Sequence, residues 1–247
     1  MLNYHFPKKE FKSTTYLKNK LKSFPSMKSL DLATEVSTRN VYSFSISNKK
    51  IINPFKLKGK FIAVIDYGVK KNILKMIDFK GFQTIIFPVT FPLKDIIRLN
   101  PNGIFLSNGP GDPTATYLKY KKELDLLKDF KKPIFGICLG HQILSLIFGA
   151  KTEKMHHGHR GANHPIKNLK NTKVEITVQN HGFVVSKKRF PSNLKVTHLS
   201  LFDNTIAGLE VKNKPFFSVQ YHPESSPGPQ DSYYLFKKFK DLVNKYA

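Results

Sequence analysis

The sequence is short of cysteine, tryptophan, arginine and acidic residues, and each shortage excludes something. One cysteine and no tryptophan occur in 247 residues. A single thiol cannot close an internal disulfide, so a reducing, cytoplasmic compartment, or the organelle equivalent of one, is expected. Residues 1–22 (MLNYHFPKKEFKSTTYLKNKLK) lack the continuous apolar stretch of a secretory signal. No run approaches the roughly 18 apolar residues of a membrane span, so no membrane partner is expected. Only 17 Asp and Glu stand against 41 Lys and Arg, a formal charge of +24. That imbalance suggests a polyanion partner. Yet Arg39, Arg98, Arg160 and Arg189 are the only arginines, and the lysines are scattered along the chain. Phosphate and base readers favour clustered arginine, so no specific nucleic acid is expected. What is present is enough apolar material, 40% of residues, to fill one large domain, or one domain with an appendage.

Residues 1–60 are rich in Lys, Ser and Asn and read as a basic extension, with "SNKKIINPFKLKGK" (47–60) as a linker. The domain is expected over 61–247. "FIAVID" (61–66) is a short apolar run of the kind found in buried parallel strands, and Val69, Ile73, Met76 and Ile77 follow at helical spacing. "QTIIFP" (83–88), "GIFLS" (103–107) and "PIFGI" (133–137) repeat the theme, with helical stretches near 93–99, 116–130 and 139–148. Such alternation implies an α/β fold whose mostly parallel central sheet is covered by helices on both faces. Functional residues then gather at the carboxyl ends of the strands. After Lys151 the strands shorten, as in "VEITV" (174–178), "TIAGLEV" (205–211) and "FFSVQY" (216–221), before a terminal helix near 230–246.

The lone cysteine lies in Gly136-Ile137-Cys138-Leu139-Gly140, at a strand-to-helix turn. This is a cysteine version of the nucleophile elbow, a sharp turn whose neighbours must be small. The unpaired N–H groups and positive dipole end of the following helix favour negative charge on the sulfur. A cysteine nucleophile needs a base, and His222 leaves a predicted strand two residues before Glu224, which can orient its imidazole. In "SNGPGDP" (107–113) the glycines and prolines form a turn, and an exposed backbone N–H there, beside that of Leu139, can receive an oxyanion. The Lys-Ser/Thr of a phosphate-binding loop is missing. His156, His157, His159 and His164 are dense, but their irregular loop spacing suits no tetrahedral metal site, and no metal is expected. His141, His181 and His198 read as packing or hydrogen-bonding residues.

In that order, "SNGPGDP", "GICLGHQ" and "YHPE" resemble the class I, or triad, glutamine amidotransferases, with a flavodoxin-like three-layer fold. "IDYGVKKNIL" (65–74), "GHRGANHP" (158–165), "TVQNHGFVV" (177–185), "VTHLSLFDNTIAG" (196–208) and "SPGPQD" (226–231) look like the glutaminase subunit of carbamoyl-phosphate synthases, as does "SFPSMKSLDLATEVST" (23–38). The resemblance runs from about Tyr16 to the C-terminus. It implies Cys138 as nucleophile, His222 as general base and acid, and Glu224 as orienter. It gives the oxyanion hole to the N–H groups of Gly109 and Leu139, and places Gly111, Gln142, Asn180, Gly182 and Phe183 around bound L-glutamine. It further implies that ammonia passes to a large subunit, which combines it with bicarbonate and ATP, with Mg, to make carbamoyl phosphate for arginine and pyrimidine synthesis. No cofactor is expected on this chain itself. The alternatives are a poorly active subunit that stabilises the large one, or the glutaminase of another class I amidotransferase. The family also carries a complete N-terminal domain of which this sequence has almost none, which is expected to bear on glutamine affinity and coupling.

Overall fold

The computed structural model describes residues 13–24 and 26–246. The part of the basic extension at residues 1–12 lies outside the described residues. Four apolar runs form the strands β3 (Phe61–Asp66), β4 (Gln83–Pro88), β5 (Gly103–Leu106) and β6 (Ile134–Ile137), and β11 (Phe216–Val219) joins them in parallel. Their order across the sheet is β4-β3-β5-β6-β11. Side chains alternate between faces, as a period of two demands. Ala63 and Ile65 enter one apolar cluster while Ile62 and Val64 enter the other. Helices α4 (Leu93–Arg98), α5 (Pro113–Lys119), α6 (Lys121–Leu124) and α7 (Leu139–Ile147) cover the first face. Helices α3 (Lys71–Ile77) and α8 (Tyr234–Lys245) cover the second. There Phe135 stacks on Phe217 at 4.4 Å and meets Phe105 edge-on at 5.2 Å. Each such pair adds about 0.5–1.5 kcal/mol beyond its buried area.

Among the described residues the sheet has eleven strands and is mixed, so "mostly parallel" describes its centre only. Beyond β11 it continues antiparallel through β10 (Ile206–Val211), β9 (Leu194–Ser200), β7 (Thr152–Asn168) and β8 (Val174–Val185). Strand β7 gives no alternating apolar signal in sequence. Its long ladder with β8, in which His159 faces His181 and Arg160 faces Asn180, makes it a strand. The histidines at 156–164 therefore lie on a strand and not in a loop. The helical stretch expected near 116–130 is broken into α5, α6 and a 3-10 turn at Asp125–Lys128.

The other edge is built from the segment that reads as an extension. Within 13–60, helices α1 (Thr14–Ser23) and α2 (Leu32–Val36) precede the hairpin β1 (Tyr42–Ser45) and β2 (Asn48–Ile51), and β1 pairs antiparallel with β4. Buried Ala33, Val41, Tyr42 and Phe44 anchor this segment in the two cores. Only a few apolar residues are needed, because most of the segment's groups remain at the surface, which is why its composition resembles a linker.

Candidate active site

Strand β3 is the point where the strand order reverses, with β4 on one side and β5 on the other, and such switch points open a crevice at the carboxyl ends. A cleft of about 410 Å³ lies there, lined by residues following β3, β5 and β6. Asp66 ends β3 and is buried. Its carboxylate accepts the N–H groups of Gly68 at 2.9 Å and Val69 at 2.8 Å, and that of Thr38 at 2.7 Å. The loop after β5 is fixed similarly. Asp112 accepts from Thr114 N–H and Ser29 N–H, both at 2.8 Å, and its own N–H donates to Leu30 O at 2.8 Å. The 26–38 segment thus braces both loops and places Met27 in the cleft wall.

Cys138 caps α7 with φ 53° and ψ −102°. A non-glycine residue in this region costs about 1–3 kcal/mol, so its surroundings must hold it. Its N–H donates to Val219 O at 2.9 Å, and its carbonyl accepts from Gln142 N at 3.1 Å. Gly140 N–H donates to Ser107 O at 3.0 Å, which draws the elbow against the loop after β5. That approach requires glycines. A Cβ on Gly140 would stand 2.1 Å from Leu106 O, and one on Gly136 would stand 2.6 Å from Gly140 O. Among the described residues, the N–H groups of Gly109 and Leu139 donate to no protein acceptor.

His222 follows β11 and its N–H donates to Val178 O at 2.9 Å, tying it to β8. Its Nδ1 lies 2.8 Å from Glu224 Oε1, which assigns a proton to Nδ1 and leaves Nε2 for Cys138. Burial works against the charged ring, but hydrogen bonding to Cys138 and to Glu224 outweighs it and pushes His222 up to about 10. That direction favours the charged ring, the form that can supply a proton. Glu224 is fully buried, with Lys70 Nζ 3.7 Å from Oε1, and Asn72 donates to its backbone carbonyl.

Gly109, Gly111, Cys138, Gln142, Asn180, Gly182, Phe183 and His222 all line the cleft, while Leu139 and Glu224 sit buried behind it. Sequence reasoning assigned no role to Gly68, Asn108, Lys154 or Arg160, which also line it. Arg160 stands in the quoted "GHRGANHP", and that motif was its one available signal. His181 lines the cleft too, although it reads as a packing residue. Its Nδ1 lies 2.9 Å from Phe183 O and its Nε2 2.7 Å from Gln179 Oε1. Both neighbours are acceptors, so the neutral ring donates to one and only touches the other. Burial, then the nearby His159, pushes His181 down to about 3. His141 bonds Ser218 at 2.9 Å, and burial, with His181 and His198 nearby, pushes it down to about 3. His198 bonds Thr197 and Tyr234. Among the described residues no group of His, Cys, Asp and Glu is arranged to hold a metal, and no helix is long and apolar enough to cross a membrane.

A strained cysteine elbow, a histidine on the cleft wall backed by a buried glutamate, and free N–H groups at the end of a parallel sheet define a glutamine amidotransferase type of site. The class-I glutamine amidotransferase family model matches residues 63–242, and the chain belongs to that family. Within it, the chain is 47% identical to the carbamoyl phosphate synthase small chain of Zymomonas mobilis, over 98% of this chain and 65% of that protein. It is 48% identical to that of Pyropia yezoensis, over 94% of this chain and 61% of that protein. It is 47% identical to that of Bartonella bacilliformis, over 93% of this chain and 58% of that protein. The chain thus spans about three-fifths of the length of the curated relatives it matches. A Thermoplasma acidophilum structure described as a GMP synthase component shares the fold with a TM-score of 0.66 at 22% identity, covering 77% of this chain and 96% of that one. A Thermotoga maritima glutamine amidotransferase gives 0.50 at 17% identity, covering 76% and 86%.

Proposed function

We propose that this chain is the glutaminase component of a carbamoyl phosphate synthase. It hydrolyses L-glutamine to glutamate and ammonia and passes the ammonia to a large synthetase subunit, where ATP, Mg and bicarbonate are used. The single observation that carries the reading is the cleft that strained Cys138 and His222 both line, with Glu224 bonded to the imidazole. The names of the relatives support the choice of partner and product.

In this reading the Cys138 sulfur attacks the side-chain amide carbon of glutamine, and the oxyanion is received by the N–H groups of Gly109 and Leu139. As the C–N bond breaks, the His222 imidazolium protonates the departing nitrogen, which leaves as ammonia. Neutral His222 then takes a proton from water, the hydroxide attacks the glutamyl thioester, and the C–S electron pair returns to sulfur. Lys154 and Arg160 put positive charge on the rim, and no carboxylate lines the cleft among the described residues, which suits a substrate bearing an α-carboxylate. No cofactor is assigned to this chain, and the lone thiol suits a cytoplasmic setting.

The test is glutamate release by the purified chain, with and without the cognate large subunit, beside a Cys138→Ala control. Release that rises with the partner and vanishes in the control supports the reading; none even in the complex overturns it. The alternative is a subunit that stabilises the large one while turning over glutamine poorly. Glutamine-dependent synthesis as fast as ammonia-dependent synthesis would exclude that.

A further inference from the structure

The Cys138 sulfur has a second polar neighbour besides His222. Gln220 is 1% exposed, at the end of β11, and its side-chain nitrogen lies 3.8 Å from Sγ. Which end of this amide faces the sulfur follows from counting protons. Gln142 bonds the Phe183 carbonyl at 2.7 Å, and a carbonyl only accepts, so the Gln142 atom is Nε2. The same nitrogen lies 2.9 Å from Gln220, and its second proton requires an acceptor there, which makes that atom Gln220 Oε1. The remaining atom of the Gln220 amide is then the NH₂ group, and it is the one aimed at Sγ. The backbone holds the residue in place, with Gln220 N–H donating to Ala207 O at 2.9 Å.

We propose that Gln220 is a further catalytic residue, whose side-chain N–H donates to the Cys138 sulfur and stabilises its anionic form, and that Gln142 is the positioning residue that keeps the amide turned that way. This rests on the reading of Cys138 as nucleophile. The physical reason is a division of labour. His222 gives its proton to the departing nitrogen, so its positive charge is gone when the thioester forms. The Gln220 amide has no proton to give up at neutral pH and remains a donor throughout. It bonds weakly to thioester sulfur and strongly to thiolate, because hydrogen bonds to ionised acceptors are the stronger kind. It therefore favours the sulfur's negative charge both before attack and when the C–S bond breaks.

Because Cys138 is the only cysteine, its alkylation by iodoacetamide reports on one site in the full chain, without any activity assay. The experiment compares the pH–rate profile of wild type with Gln220→Leu, the near-isosteric Gln220→Glu and Gln142→Leu, each first shown to be folded by circular dichroism. Gln220→Leu is expected to move the profile to higher pH by about one unit, so that alkylation on its rising, acid-side limb slows about 10-fold. Gln220→Glu, which sets a carboxylate oxygen beside the sulfur, moves it at least as far. Gln142→Leu moves it the same way by less, since the freed amide can turn. Profiles that match wild type in the folded variants overturn the proposal and leave the nucleophile reading intact. A wild-type Cys138 that resists alkylation at every pH overturns both.

Discussion

The parallel and antiparallel halves of the sheet are built on different terms. Every residue of β3, β5, β6 and β11 is buried, because helices cover both faces. Along β7 most residues stay at least partly exposed, and along β8 burial alternates. In the proposed function the first half supplies the nucleophile, the oxyanion donors and, after β11, the His222–Glu224 pair, all on connections that follow packed strands. The second half supplies the wall, through Arg160, Asn180 and Phe183. Groups proposed to take part in bond making thus come from the more fully buried half, and groups proposed to face the rest of the substrate from the other.

The sharpest way to break this comparison is Cys138→Ala, expected to lower glutaminase activity on the order of 10⁴-fold or more. Thermal melting sharpens it: Cys138→Gly should be more stable than Cys138→Ala by about 1 kcal/mol or more, since glycine accepts φ 53° without strain. Equal melting temperatures would mean that the elbow is not strained. Glu224→Gln should cost roughly 10²–10⁴-fold in kcat while leaving Cys138 in place, because it releases the imidazole's orientation. A change confined to KM would contradict the role of orienter.

The histidines offer a contrast in pH. His222 is raised from its ordinary 6.5 to about 10, so its contribution to stability is whole below about pH 6.5 and fades as pH rises towards 10. His141 and His181 are lowered to about 3, so theirs is present above 6.5 and lost as pH falls towards 3. Each should change stability by on the order of 1.4 kcal/mol per pH unit within its window. Denaturant melts of His222→Gln and His141→Gln against wild type check this. A His141→Gln variant that loses stability in acid as steeply as wild type would refute its share. Next in size, Gly140→Ala should lose about 2–3 kcal/mol, because its Cβ would meet Leu106 O, a backbone atom that cannot step aside. The smallest effect is expected at Lys237, paired with Asp241 at 2.8 Å on the exposed face of α8. Lys237→Ala should stay within about 0.5 kcal/mol, and a larger loss would mean that the surface lysines matter more than the buried site.

Much of the parallel half was legible because its signals are local. "FIAVID" and "PIFGI" are continuous apolar runs, and Gly136 to Gly140 mark a turn that only small residues permit. The antiparallel half was less so. "TEKMHHGHRGANHPIKN" has no alternation and little apolar content, and it is a strand because β8 and β9 supply its hydrogen bonds. The β1–β2 hairpin is no more legible, since β4, the strand that β1 pairs with in the sheet, lies some forty residues on. Among the nine histidines, neighbours in sequence could not separate the raised His222 from the lowered His141.

The sequence by itself determined which residue is the nucleophile's candidate, the turn that presents it, and the order of strands and helices around it, since each depends on residues a few positions apart. Only the tertiary structure decided which loops brace the cleft, which end of Gln220 faces the sulfur, and which histidine is pushed towards its charged form. Those depend on burial, and on charges and hydrogen-bond partners brought together from distant parts of the chain.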